Sequence, residues 1–199
     1  MTQAPPTRLS AAERRTAIID AGLHVFSDGS YAGATTAEIA REAGVSEPIL
    51  YRHFSSKRDL YFACLDEAWR RIRCKLEAKI DELGPAEAWR SMRTSAMRDL
   101  KTLLPSLWMQ AITEAGEDPE IRRFVRGHMR EVHDFFAGCL GRVQESGAIA
   151  ADRNVDAEAW IFIGGSLLVS IADRLGGPLT AEDLAAIKAE RQRWLTGVA

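Results

Sequence analysis

Between Thr35 and Lys57 the chain gathers hydroxyls, an imidazole and basic side chains in one short run, TTAEIAREAGVSEPILYRHFSSK. Thr35, Thr36, Ser46, Tyr51, Arg52, His53 and Lys57 offer hydrogen bonds or positive charge to phosphate oxygens. Glu47 and Pro48 stand among them. Together they suit the grip and reading of a DNA duplex, where backbone contacts position and base-edge contacts specify. Enzyme chemistry has no comparable set. Nucleophile elbows, phosphate-binding glycine loops and dinucleotide fingerprints are missing from the sequence. His24, His128 and His133 lack the spacing of metal ligands, so neither a catalytic centre, a metal nor a cofactor is expected.

Local signals say how these residues are held. Thr35 followed by Glu38 reads as a capping box that opens a helix. Ile39, Ala40 and Ala43 give that helix one apolar face. Gly44 sits where the chain must turn sharply, since glycine accepts positive φ without a Cβ clash. Ser46 is placed to cap a second helix, and Pro48 falls in its first turn, where a missing N–H costs nothing. Val45, Leu50 and Phe54 then point inward, leaving Glu47, Pro48, Tyr51, Arg52 and His53 on or near the outer face. The layout is a helix-turn-helix, whose second helix enters a major groove.

Bulk charge argues for restraint. The 199-residue chain has a formal net charge of -2, so no global attraction to nucleic acid exists. Residues 1–60 balance Arg8, Arg14, Arg15, Arg41, Arg52, Lys57 and Arg58 against Glu13, Asp20, Asp28, Glu38, Glu42, Glu47 and Asp59. Attraction to phosphate must come from placement, chiefly the run Arg52, His53, Lys57 and Arg58, with a modest salt dependence. Cys64, Cys74 and Cys139 are odd in number and lack CxxC spacing, which fits free thiols in a cytoplasmic protein. Residues 1–9 read as a loose polar arm without a leader. The uncharged run Ala159 to Ala172 is too short to span a bilayer comfortably and is expected to be a helix buried on most sides, with no membrane partner.

No stretch alternates with period two, and the fold expected is all-α with about nine helices. The first runs from Ser10, capped with Glu13, to about Asp28. A loop with two glycines follows at 29–34, then the two motif helices. Ser56 with Asp59 caps a long fourth helix to about Leu83, its apolar face carried by Leu65, Trp69, Ile72, Leu76 and Leu83. At a rise of about 1.5 Å per residue that rod is roughly 40 Å long. After the Gly84-Pro85 break, further helices are expected near 86–103, 105–115, 119–145, 155–175 and 180–196.

Residues 10–60 resemble the N-terminal domain of the tetracycline-repressor (TetR) family of bacterial transcription regulators. The likeness rests on AGLHVFSDGSYAGAT, TAEIAREAGVS and ILYRHFSSKRDLY, above all the Gly-Val-Ser turn with Leu50, Tyr51, Phe54 and Lys57 at their spacings. The resemblance implies that Thr36 meets phosphate or a base edge, that Ser46, Tyr51 and His53 hydrogen-bond the DNA backbone, and that Lys57 grips phosphate. It places Pro48 and Ile49 at base edges. Glu47 departs from the family pattern. It could accept from cytosine N4, or it could repel unwanted sites.

The same resemblance implies a homodimer reading a palindromic operator, with residues 1–60 as the DNA-binding domain and 61–199 as a helical ligand-binding and dimerisation domain. Half-sites would lie about 34 Å apart. Ile163, Gly164, Leu167, Ile171 and Leu175 are the expected dimer seam, on the last two helices. The second half is also rich in large adaptable side chains. Trp89, Met92, Trp108, Met109, Phe124, Phe135 and Trp160 are the candidates to line a cavity for a small, largely apolar effector, release from DNA being its effect.

Overall fold

The computed structural model describes residues 10–91 and 104–197, and every regular element among them is a helix. α1 (Ala11–Asp28) starts at the expected capping box: Ser10 Oγ accepts from the Glu13 N–H and Glu13 reaches back to the Ser10 N–H. α2 (Thr36–Glu42) and α3 (Glu47–His53) are the two short motif helices. α4 (Lys57–Leu83) is the long rod, 27 residues capped by Ser56. α5 (Pro85–Ser91), α6 (Leu104–Glu114), α7 (Pro119–Glu145), α8 (Val155–Arg174) and α9 (Ala181–Thr196) complete the described chain. Met92 lies outside the described residues.

The head, α1 to α3, is built directly onto the first half of α4. Ile18, Phe26, Ile39, Leu50 and Phe54 form its core with Leu60, Tyr61, Cys64 and Leu65 of α4. Gly22 makes the closest approach, because a Cβ there would lie 2.7 Å from Cys64 Sγ. Tyr61 packs edge-on against Phe26 at 4.9 Å and beside Tyr31 at 4.7 Å. Its hydroxyl donates to the Leu107 carbonyl of α6 at 2.9 Å. Buried side chains therefore run without a break from the head through α4 into α7 and α8, and no gap in packing occurs at 60–61.

The face of α4 that turns inward ends on Ile80, not Leu83. Ile80 is buried, whereas Leu83 occupies the last turn before Gly84 and is exposed. Gly84 adopts φ 76, ends α4 with its N–H on the Ile80 carbonyl, and hands over to Pro85. Beyond this point an aromatic row fills the body. Trp69 meets Phe135 at 5.3 Å and Phe136 at 6.1 Å, Phe136 meets Phe162 at 4.7 Å, and Phe162 meets Trp89 at 5.2 Å.

α8 is not buried on most sides, contrary to the expectation from its composition. It is long and apolar enough by that measure to cross a membrane, yet only 28% of Val155–Ala172 is buried. One face, with Ala159 and Ile163, joins the core. The opposite face leaves Ile161, Leu168, Ile171 and Leu175 exposed among the described residues. α9 is anchored at its C-terminal end: Arg153 Nε donates to the Trp194 carbonyl, and Trp194 Nε1 donates to buried Glu158 at 2.9 Å.

Two outcomes follow from this packing. Gly22→Ala gains about 1 kcal/mol of helix propensity but is expected to lose about 1–3 kcal/mol net to overpacking, and Cys64→Ala should restore part of it in urea unfolding. His24 bridges α1 and α2 at the surface, with Nδ1 at 2.6 Å from Glu42 and Nε2 at 3.1 Å from Asp28. The hydrogen bond to Glu42 and the two carboxylate charges raise its pKa above the ordinary value. Its contribution is full below that ordinary value and is lost as pH rises through the raised one. The stability gap between wild type and His24→Gln should be widest below the ordinary histidine value of about 6.5 and shrink as pH rises above it, read by thermal denaturation.

Candidate nucleic-acid interface

The turn between α2 and α3 forms as its residues require. Thr35 Oγ1 accepts from the Glu38 N–H at 3.2 Å and caps α2. Gly44 takes φ 66, and the Val45 N–H reaches back to the Ala40 carbonyl at 2.9 Å. Ser46 stands at the start of α3 but caps it through the backbone alone: its carbonyl receives the Ile49 and Leu50 N–H groups, and its side chain makes no capping bond. Leu50 and Phe54 are fully inside. That leaves Pro48, Tyr51 and Arg52 exposed, with Glu47, Ile49 and His53 half-buried along the same outer edge.

A polar brace joins the two helices behind this edge. Thr36 is buried at 8% exposure, and its Oγ1 donates to Glu47 Oε1 at 2.5 Å. Tyr51 Oη lies 3.1 Å from Thr36 Oγ1. A threonine hydroxyl has one proton, so with that proton on the carboxylate the phenol of Tyr51 is the donor to Thr36. The brace therefore sets the orientation of both Glu47 and Tyr51. It spans 11 and 15 residues of sequence, which is why spacing alone could not reveal it.

Two of the expected phosphate-facing cations are occupied within the protein. Lys57 Nζ donates to the carbonyls of Tyr31 at 2.7 Å and Ala34 at 3.1 Å, and lies 4.6 Å over the Tyr31 ring. It clasps the loop between α1 and α2. Arg58 pairs with Asp118 at 2.8 Å and with Glu120, both at the start of α7. Asp118 meanwhile caps α7 by accepting from the Ile121 and Glu120 N–H groups, and those bonds together with Arg58 hold its carboxyl below the usual range. Arg15 lies over the Phe54 ring at 4.9 Å. Gln110 of α6 donates to the Phe26 and Gly29 carbonyls at 2.9 and 3.0 Å, a head-to-body link with no local sequence signal.

The expected effector residues do not converge on one cavity. Trp89 lines an apolar cleft between α8 and α9 with Leu140, Phe162, Leu168, Leu184 and Ile187. Phe124 stacks on Phe62 at 4.1 Å beside a shallow groove. Phe135 belongs to the aromatic row, and Met109 is half-buried on α6. Trp108 is buried with its ring 5.2 Å from that of His128. Trp160 is a surface residue stacked on His133 at 4.3 Å, beneath Arg130. Of the expected seam, Gly164, Ile171 and Leu175 are exposed and Leu167 is half-buried, but Ile163 faces the chain's own core. The helical period puts it opposite the exposed stripe.

Residues 18–64 match the family model for bacterial regulatory proteins of the tetR family. In this chain the match covers the head and the start of α4. The head is 52% identical over 58 residues to the transcriptional activator FasR of Mycolicibacterium smegmatis, covering 29% of this chain and 26% of that protein. The transcriptional regulator BetI of Rhizobium meliloti is 30% identical over 115 residues, covering 56% of this chain and 57% of that one. The aligned stretches thus span less than two thirds of either relative. In fold, the transcriptional regulator FadR of Bacillus subtilis, solved in complex with stearoyl-CoA, superposes with a TM-score of 0.71 at 19% identity, over 92% of this chain and 98% of that one.

The lysine clasp is directly testable. Lys57→Met removes charge-assisted bonds that support the loop leading into α2, and is expected to cost about 1.5–3 kcal/mol in chemical denaturation. A variant of unchanged stability would show that the clasp does not support the head.

Proposed function

We propose that this protein is a homodimeric, DNA-binding transcriptional regulator, a repressor released from a palindromic operator by a small, largely apolar molecule. The observation that carries the reading is the outer edge of α3, with Pro48, Tyr51 and Arg52 exposed and Tyr51 braced through Thr36. A base-reading helix needs side chains that project outward from a backbone held rigidly from behind. The match of residues 18–64 to the tetR family model, and relatives described as transcriptional regulators, support it. A DNA-binding role also implies a cytoplasmic protein. FasR is described as an activator, so activation is the second reading for the sign of control.

Dimerisation is supported by the stripe Ile161, Leu168, Ile171 and Leu175 on α8, with Ile187 and Trp194 exposed on α9. A contiguous apolar face of this kind marks an interaction surface. Gly164 and Gly165 lie on the same face, and a Cβ on either would meet nothing within 4 Å, so packing inside the chain does not require glycine there. Close approach of a second α8 does. On this reading residues 1–60 supply the DNA contacts and 61–199 the dimer and effector sites, with the head's packing carried on into α4.

The effector reading draws on the apolar cleft beside Trp89 and on the ligand in the FadR structure. Arg58, Tyr61 and Gln110 tie the head to α6 and α7. A ligand that binds better to an altered arrangement of those helices shifts the spacing of the two heads away from that of successive major grooves.

Selection of bound fragments from genomic DNA tests the whole. The expected product is a palindrome with half-sites about 34 Å apart. Leu168→Glu should give a folded monomer whose operator affinity falls at least about 100-fold, because one head buries too little surface for specific binding. A wild-type protein that sediments as a monomer and retains no duplex in low salt would overturn the proposal.

A further inference from the structure

Glu47 carries a negative charge on the very edge that must approach a polyanion. It is the first residue of α3, beside exposed Pro48, and among the described residues it has no ion-pair partner. Its carboxylate is not free to swing aside. The Thr36 hydroxyl holds Oε1 at 2.5 Å, and Thr36 is itself buried and backed by Tyr51 at 3.1 Å. Nearby cations do little to mask the charge, since Lys57 is spent on the Tyr31 and Ala34 carbonyls and Arg58 on Asp118 and Glu120.

Resting on the DNA-binding reading, we propose that Glu47 is a specificity-determining residue, a fixed acceptor that admits a cytosine amino group at its position in each half-site and rejects acceptors there. An ionised carboxylate only accepts hydrogen bonds. Cytosine N4 presents a donor in the major groove, adenine sets its N6 donor beside the N7 acceptor that a carboxylate repels, and guanine N7 and O6 and thymine O4 present acceptors. One Glu47 oxygen is committed to Thr36, so the other is left for the base. Where no donor faces it, the same charge repels phosphate and acceptor edges alike. Discrimination then comes as much from rejection as from attraction, and binding to unrelated duplex is held down.

Two variants separate this role from mere support of the turn. Glu47→Gln keeps an oxygen for the Thr36 hydroxyl and removes the charge; Thr36→Val keeps the charge and removes the brace. Each protein is used to select from duplexes randomised around the operator, and each is titrated with an unrelated duplex of equal length. Wild type should require cytosine at one position per half-site. Glu47→Gln should lose about tenfold in discrimination there, bind the unrelated duplex several-fold more tightly, and unfold at nearly the wild-type temperature. Thr36→Val should relax the same position without the gain in unrelated binding. An unchanged selection profile for Glu47→Gln overturns the proposal, as does a fall in its melting temperature without a change in base preference. A wild-type protein that selects no sequence removes the regulator reading and this one with it; ordered wild-type selection with an unaltered variant removes this one alone.

Discussion

The reading head cannot stand without α4. Its motif helices are 7 residues each, well below the length at which a helix is stable in water by itself. What holds them is the close apposition of α1 and α4, where Gly22 lets the two backbones approach over Cys64 and where Phe26, Tyr31 and Tyr61 interlock. The clasp from Lys57 then fixes the loop that delivers α2. Because α4 continues as one unbroken helix into the aromatic row of the body, any change in its tilt is felt at both ends.

Charge in the head is balanced, which on the proposed reading favours discrimination over attraction. Basic and acidic residues balance over the first sixty positions, and the structure commits Lys57 and Arg58 to contacts within the chain. On the proposed DNA-binding reading, phosphate contacts would fall chiefly to hydroxyls, backbone N–H groups and the few cations near the outer edge, such as Arg52. Affinity built this way responds less steeply to salt than that of a basic head. It also leaves more of the selectivity to shape, to symmetry and to the rigid placement of Tyr51 and Glu47.

The body answers a different demand. Its interior is filled by aromatic rings in contact, and its open apolar surface lies on α8 and in the cleft toward α9. Buried Glu158 pairs with Arg191 and receives the Trp194 indole, which ties α9 to the start of α8 at one end while the cleft stays open along the other. A helix pair joined at one end in this way can present a continuous face to a second chain.

Local chemistry made the helices and the turn legible in the residues themselves. Capping at Ser10, Thr35 and Ser56, the positive φ of Gly44 and the break at Gly84 are decided within a few positions of chain, so pattern alone locates them. The inward set of Leu50 and Phe54, and with it the outer edge of α3, follows from the helical period in the same way. The fate of long polar side chains does not. Lys57 reaches a loop 26 residues back, Arg58 a helix start 60 residues ahead, and Thr36 a glutamate on the next helix. A charged tip several bonds from its backbone bonds whatever the fold brings within reach, and that neighbour belongs to tertiary structure. For the same reason Ile163 and Leu168, alike in hydropathy on one helix, could be assigned to core and surface only once the position of α7 was known.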